Sequence, residues 1–139
     1  MPASWRDARR RRVTVGTVKD LLHFRVEEWE IRVTNEIQKW IYALNERSLA
    51  QVVDAIDRLA EVGPVLVRPL VDTLEGSQIH NLKELRPGSA GRSEIRILFV
   101  FDPWRSAILL VGGDKSADWS GWYRRAIPRA EELYAEYLA

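Results

Sequence analysis

The chain has 139 residues, 46% of them hydrophobic and 29% charged, enough for one domain with a core and too few for two ordinary ones. It contains no cysteine and only two histidines, His23 and His80, which argues against a disulfide framework, a cysteine nucleophile and a zinc site. The formal net charge of +1 argues against a nucleic-acid partner only until the charge is located: residues 1–26 sum to +5, 27–82 to −5, 83–125 to +3 and 126–139 to −2.

Residues 1–26 include the run Arg9-Arg10-Arg11-Arg12 and show no apolar periodicity. Self-repelling charge with few apolar neighbours reads as a solvated, disordered basic extension. An extension from an upstream start codon and a nucleic-acid-binding arm are the alternatives. The segment has no apolar core of a secretory signal, and no run in the chain approaches the ~20 residues that span a bilayer. The cytoplasm is the expected location, with no membrane partner.

The ordered domain is expected over residues 27–139. Trp29, Ile31 and Val33 alternate with charged residues, the period of a strand with one wet face. Ile37, Trp40, Ile41 and Leu44 then recur at helical spacing, with Asn35 as the expected cap. A second helix is expected from Ser48, carrying Leu49, Val52, Val53, Ile56, Leu59 and Ala60 on one face and stopping at Gly63-Pro64. The short link between the two makes an antiparallel hairpin. Residues 65–78 read as a connection in which Leu66, Leu70 and Leu74 are partly buried.

Residues 79–86 read as a strand stopped by Pro87-Gly88, and 93–101 as the clearest strand of the chain. There, Ile95, Ile97, Phe99 and Phe101 share one face, and Glu94, Arg96, Leu98 and Val100 the other. Ala107–Val111 is a continuous apolar run, as in a central buried strand, ended by Gly112-Gly113. A loop carrying Trp119, Trp122 and Tyr123 precedes a last helix with Pro128 in its first turn. The order β-α-α-β-β-β-α predicts a small α+β sandwich: a twisted, mainly antiparallel sheet with the helical hairpin packed on it and a C-terminal helix.

Positive charge gathers in the later strands and loops: Lys83, Arg86, Arg92, Arg96, Lys115, Arg124 and Arg125. Adjacent strands lie about 5 Å apart, so these residues are expected to converge. Cations that grip phosphate beside rings that stack on bases suit single-stranded nucleic acid. Glu94 reads as an ion-pair partner for a neighbouring arginine, His80 as a structural or surface residue, and Trp29, Trp40 and Trp104 as packing residues.

The strand Lys83-Glu84-Leu85-Arg86, the strand Ser93-Glu94-Ile95-Arg96-Ile97-Leu98-Phe99 and the element Gly112-Gly113-Asp114-Lys115-Ser116 resemble the RelE/ParE toxin superfamily, in particular its HigB-like, phage-derived branch. The resemblance covers residues 27–139 and departs at Asp114, where the family commonly has a second lysine. It implies a RelE-like sandwich and the toxin of a type II toxin–antitoxin system. Such a toxin is a ribosome-dependent mRNA endonuclease that inhibits translation and is held by a cognate antitoxin. That antitoxin is expected to be a helix-turn-helix protein encoded by an adjacent gene. On this reading Arg86 and Arg96 hold the scissile phosphate, Lys83 and Lys115 add charge or carry a proton, and Tyr123 stacks on a base or assists proton transfer. Arg92, Trp119, Trp122 and Arg124 bind RNA. No metal or cofactor is called for. A ParE-like poison of DNA gyrase and a non-catalytic antitoxin-binding module are the alternatives.

Overall fold

The computed structural model describes residues 3–4, 28–88 and 94–139. Arg92, and the basic extension apart from Ala3 and Ser4, lie outside the described residues. Ala3–Ser4 form a two-residue strand, β1, antiparallel to β2, Glu30–Val33. Helices α1, Asn35–Tyr42, and α2, Glu46–Val62, follow, and the remaining strands are β3, Val71–Thr73, β4, Lys83–Leu85, β5, Ile95–Phe101, and β6, Ser106–Asp114. Helix α3, Trp119–Leu138, closes the chain.

The sheet runs β1-β2-β6-β5-β4-β3. From β2 the helical hairpin carries the chain to the far edge, and β3 to β6 return as an antiparallel meander. The returning β6 therefore meets β2 in parallel. This mixed sheet is covered on both faces. On one face Ile31, Val33, Ile97, Phe99 and Leu109 pack beneath Ile37, Ile41, Val52, Ile56 and Leu59 of the hairpin. On the other, Leu98, Val100, Ile108 and Leu110 pack beneath Ala126, Ala130 and Leu133 of α3. That is why every residue from Ile95 to Val100 is buried, although the strand's two rows face opposite ways.

Several boundaries differ from the sequence reading, each for a local reason. The cap of α1 is Thr34 rather than Asn35. Its hydroxyl accepts from the Ile37 amide at 3.1 Å and donates to the Leu110 carbonyl at 2.8 Å, tying the helix start to β6. Helix α2 is capped by Asn45, whose side chain accepts from the Ser48 amide at 2.8 Å, so Ser48 is a recipient inside the helix. Part of the connection expected over 65–78 becomes β3, paired with β4. Trp104, expected to pack, is 70% exposed at the β5–β6 turn.

The largest departures concern β6 and α3. Gly112-Gly113 does not end β6, which runs on to Asp114. The pair clears space for two indoles: a Cβ on Gly112 would collide with Trp40 on the hairpin side, and one on Gly113 with Trp122 on the α3 side. Helix α3 begins at Trp119, nine residues before the proline taken as its first turn. Asp118 caps it, accepting from the Gly121 amide at 3.1 Å, and Pro128 lies within the helix on an exposed position. The C-terminal half is anchored by Tyr137, which donates to Asp102 at 2.8 Å, and by Arg129, which bridges Glu36 of α1 and Glu132.

Candidate active site

The register of the meander decides which charges meet. In β4 and β5, Lys83 lies opposite Phe99, Glu84 opposite Leu98 and Leu85 opposite Ile97. β4 ends at Leu85, and continuing its register by one step sets Arg86, whose amide bonds the Leu70 carbonyl, opposite Arg96. Arg96 in turn pairs with Gly113, and the Lys115 amide bonds the Glu94 carbonyl at 3.0 Å two rungs beyond. Because side chains alternate, Glu84, Arg86, Glu94, Arg96 and Lys115 share the face that α3 covers. Lys83 shares the opposite face with Leu85 and Phe99, and donates to Thr73 Oγ1 at 3.0 Å. Of the cations expected to converge, Arg86, Arg96 and Lys115 therefore lie on one face of the sheet and Lys83 on the other.

Helix α3 places its first turns over this row. Trp122 rests against Gly113 and meets Tyr123 edge-on at 5.0 Å. The Tyr123 hydroxyl donates to Glu84 Oε2 at 2.6 Å. Burial pushes the phenol far above its ordinary value, and the hydrogen bond to Glu84 and that carboxylate's charge push it further, with Arg96 opposing. A phenol so held stays protonated at neutral pH and serves as a hydrogen-bond donor, not as a base. Arg96 is 2% exposed, with its Nη1 donating to the Ile95 carbonyl at 2.7 Å. Arg86 is half-buried, and its Nε finds no hydrogen-bond partner among the described residues.

Lys115 is also buried. Its Nζ pairs with Glu94 Oε2 at 2.8 Å and lies 5.1 Å from the centre of the Trp119 ring. The ion-pair partner of Glu94 is thus a lysine, not the arginine expected. The hydrogen bond from Lys115, then its charge, hold Glu94 below the ordinary carboxylate range. A carboxylate with a lower folded than unfolded pKa adds stability above the unfolded value and gives it up as pH falls through the folded one. The brace on Trp119 should accordingly survive down to the ordinary glutamate pKa and open only below it. An acid titration of tryptophan fluorescence checks this: the transition should sit below pH ~4.3 and disappear in Glu94→Gln.

Arg124 is exposed on α3, its Nη2 near Ser120 Oγ at 3.4 Å, and Arg125 pairs with Asp118 at 3.5 Å. Trp119 is exposed and Trp122 half-buried, so the two indoles do different work. His80 lies in an exposed turn before β4. Sequence reasoning missed Glu84. The signal was available: in a strand, Glu84 and Arg86 lie on one face and Lys83 on the other, so the carboxylate belongs with the arginine and Lys83 does not. Among the described residues no group of three or more histidine, aspartate or glutamate side chains could hold a metal ion, and no helix is long and apolar enough to cross a membrane.

The chain is similar to known proteins. The family model described as "Phage derived protein Gp49-like (DUF891)" matches residues 39–135, which span α1 to α3 and contain the whole cationic row. The chain belongs to the Gp49-like family. Two relatives from Mycobacterium tuberculosis are similar to it. "Putative toxin HigB2" is 52% identical over 74% of this chain and 51% of its own length. "Putative toxin HigB3" is 51% identical over 75% of this chain and 89% of its own length. The chain thus spans about half the length of the first relative. A solved archaeal RelE–RelB complex from Pyrococcus horikoshii OT3 is similar at TM-score 0.48 and 18% identity, covering 62% of this chain and 93% of that one.

Proposed function

We propose that the protein is the toxin of a type II toxin–antitoxin system and a metal-independent endoribonuclease that cuts mRNA on the ribosome and so inhibits translation. The observation that carries this reading is the juxtaposition of Arg86, Arg96, Glu84 and Tyr123 on one face of the sheet, beneath one end of α3. The relatives named as toxins support the first half of the reading.

RNA carries its own nucleophile in the 2′-hydroxyl. In this site the Glu84 carboxylate accepts that proton as the 2′-oxygen attacks the adjacent phosphorus. Arg96 and Arg86 meet the negative charge that grows on the phosphoryl oxygens. The bond from phosphorus to the 5′-oxygen breaks, leaving a 2′,3′-cyclic phosphate. The departing oxygen takes a proton from solvent and Glu84 returns its own, so the balance closes. Tyr123 keeps Glu84 oriented until substrate arrives, and its ring must swing aside for a phosphate to reach Arg96. Guanidinium groups supply the charge that a metal ion supplies in other nucleases. The partners on this reading are mRNA, the ribosome and a cognate helix-turn-helix antitoxin from an adjacent gene, in the cytoplasm.

The test is expression in a host with and without the adjacent gene, followed by primer extension on its mRNA and by a gyrase supercoiling assay. The expected result is new mRNA 5′ ends that need ribosomes and vanish with the antitoxin. Gyrase inhibition with intact mRNA would instead establish the ParE-like alternative.

A further inference from the structure

Trp119 opens α3 with its indole 62% exposed. Its two faces are not equivalent. The Lys115 ammonium lies over one of them, 5.1 Å from the ring centre, and is nearly buried there. Glu94 grips that ammonium at 2.8 Å, and Tyr123 meets the indole edge-on at 5.8 Å and 74°. A surface tryptophan with no task is usually loose. This one is braced from beneath and from the side, and its outer face is left to solvent.

Its place relative to the cationic row matters as much. Glu94 and Lys115 stand one same-face step along β5 and β6 from Arg96 and Gly113, about 7 Å. That is the reach of one nucleotide in an extended single strand. The exposed Arg124 follows on the same helix.

We infer that Trp119 is a stacking platform for one unpaired nucleobase, a nucleotide away from the phosphate held by Arg86 and Arg96, and that the Glu94–Lys115 pair beneath it favours a purine there. The cation on the inner face draws π-density from the indole. The outer face is then less negative and stacks better on a large, electron-rich base. The identity of the polymer as RNA rests on the proposed function; the stacking geometry does not.

The experiment uses the full chain and short single-stranded 2′-O-methyl oligonucleotides, which cannot be cut, carrying adenine, uracil or no base at one position. Indole fluorescence and affinity are read together. Wild type should be quenched and should bind the adenine oligonucleotide several-fold more tightly than the uracil one. Trp119→Leu should lose most of that quenching and bind roughly ten-fold more weakly, whereas Trp119→Phe should retain binding. Lys115→Met should still bind but with the purine preference reduced. Equal quenching and affinity in Trp119→Leu, or equal loss in Trp119→Phe and Trp119→Leu, would overturn the platform. So would abasic binding as tight as that of the base-bearing oligonucleotides, or quenching by an antitoxin peptide with none by RNA. An unchanged preference in Lys115→Met would overturn the role of the ion pair. Stacking without any cleavage of unmodified mRNA when ribosomes are supplied would remove the nuclease reading and leave the platform standing.

Discussion

Replacing Arg96 by alanine should lower RNA cleavage by roughly 10²–10³-fold, the usual loss when a charged transition-state donor is removed. Growth inhibition should disappear with it. The guanidinium is fixed on a central strand, two residues from Leu98 in the α3-side core, and β5 pairs on both sides. The change is therefore made in a rigid frame, and a thermal unfolding scan beside the cleavage assay separates lost chemistry from lost fold. Arg96→Lys sharpens the test. It keeps one positive charge but not the planar fork that engages two phosphate oxygens at once. It should fold, and its activity should fall between wild type and alanine. Wild-type cleavage by a folded Arg96→Ala protein would remove Arg96 from the chemistry.

The two arginines could be found from sequence because they obey the simplest rule of sheets. Arg96 is the one charge in an otherwise apolar strand, and Arg86 stands just before a Pro-Gly stop. What sequence did not disclose was the set of contacts that depend on the second layer. Gly112-Gly113 looks like a strand terminator because glycine usually weakens strands. Here the missing side chains are filled by Trp40 from one layer and Trp122 from the other, and neither partner is near in sequence. Pro128 looks like a helix start because proline is comfortable there. Inside a helix it removes a hydrogen bond, at about 3 kcal/mol. In α3 the packing of Ala126, Ala130 and Leu133 on the sheet and the Asp118 cap stand against that loss. The spacing of Trp122, Ala126, Ala130 and Leu133 was a helical stripe that could have been read through the proline. Reading Trp119, Trp122 and Tyr123 as loop residues concealed their role: they form the cover of the cationic row.

The same alternation makes the sharper prediction about the base. Glu84→Gln keeps the shape of the side chain and an oxygen for the Tyr123 hydroxyl, and removes only the capacity to take a proton at neutral pH. If Glu84 is the proton acceptor, cleavage should fall by roughly 10²–10⁴-fold with little change in stability. Tyr123→Phe removes the donor that orients Glu84 but leaves the carboxylate. Its loss should be the smaller of the two, and the edge-on packing against Trp119 and Trp122 should survive. Lys83→Ala is the counter-test. Lys83 precedes Glu84 in the chain, yet its side chain lies with Phe99 on the hairpin side, so its removal should leave cleavage essentially unchanged. A single-turnover assay on one ribosome-bound mRNA, run across pH for all three variants, reads the order directly. Activity ranked wild type ≈ Lys83→Ala > Tyr123→Phe > Glu84→Gln follows from which face of β4 meets α3. If Lys83→Ala were the dead variant and Glu84→Gln the active one, the proton would be moving on the other side of the sheet, and the site would have to be rebuilt around the hairpin.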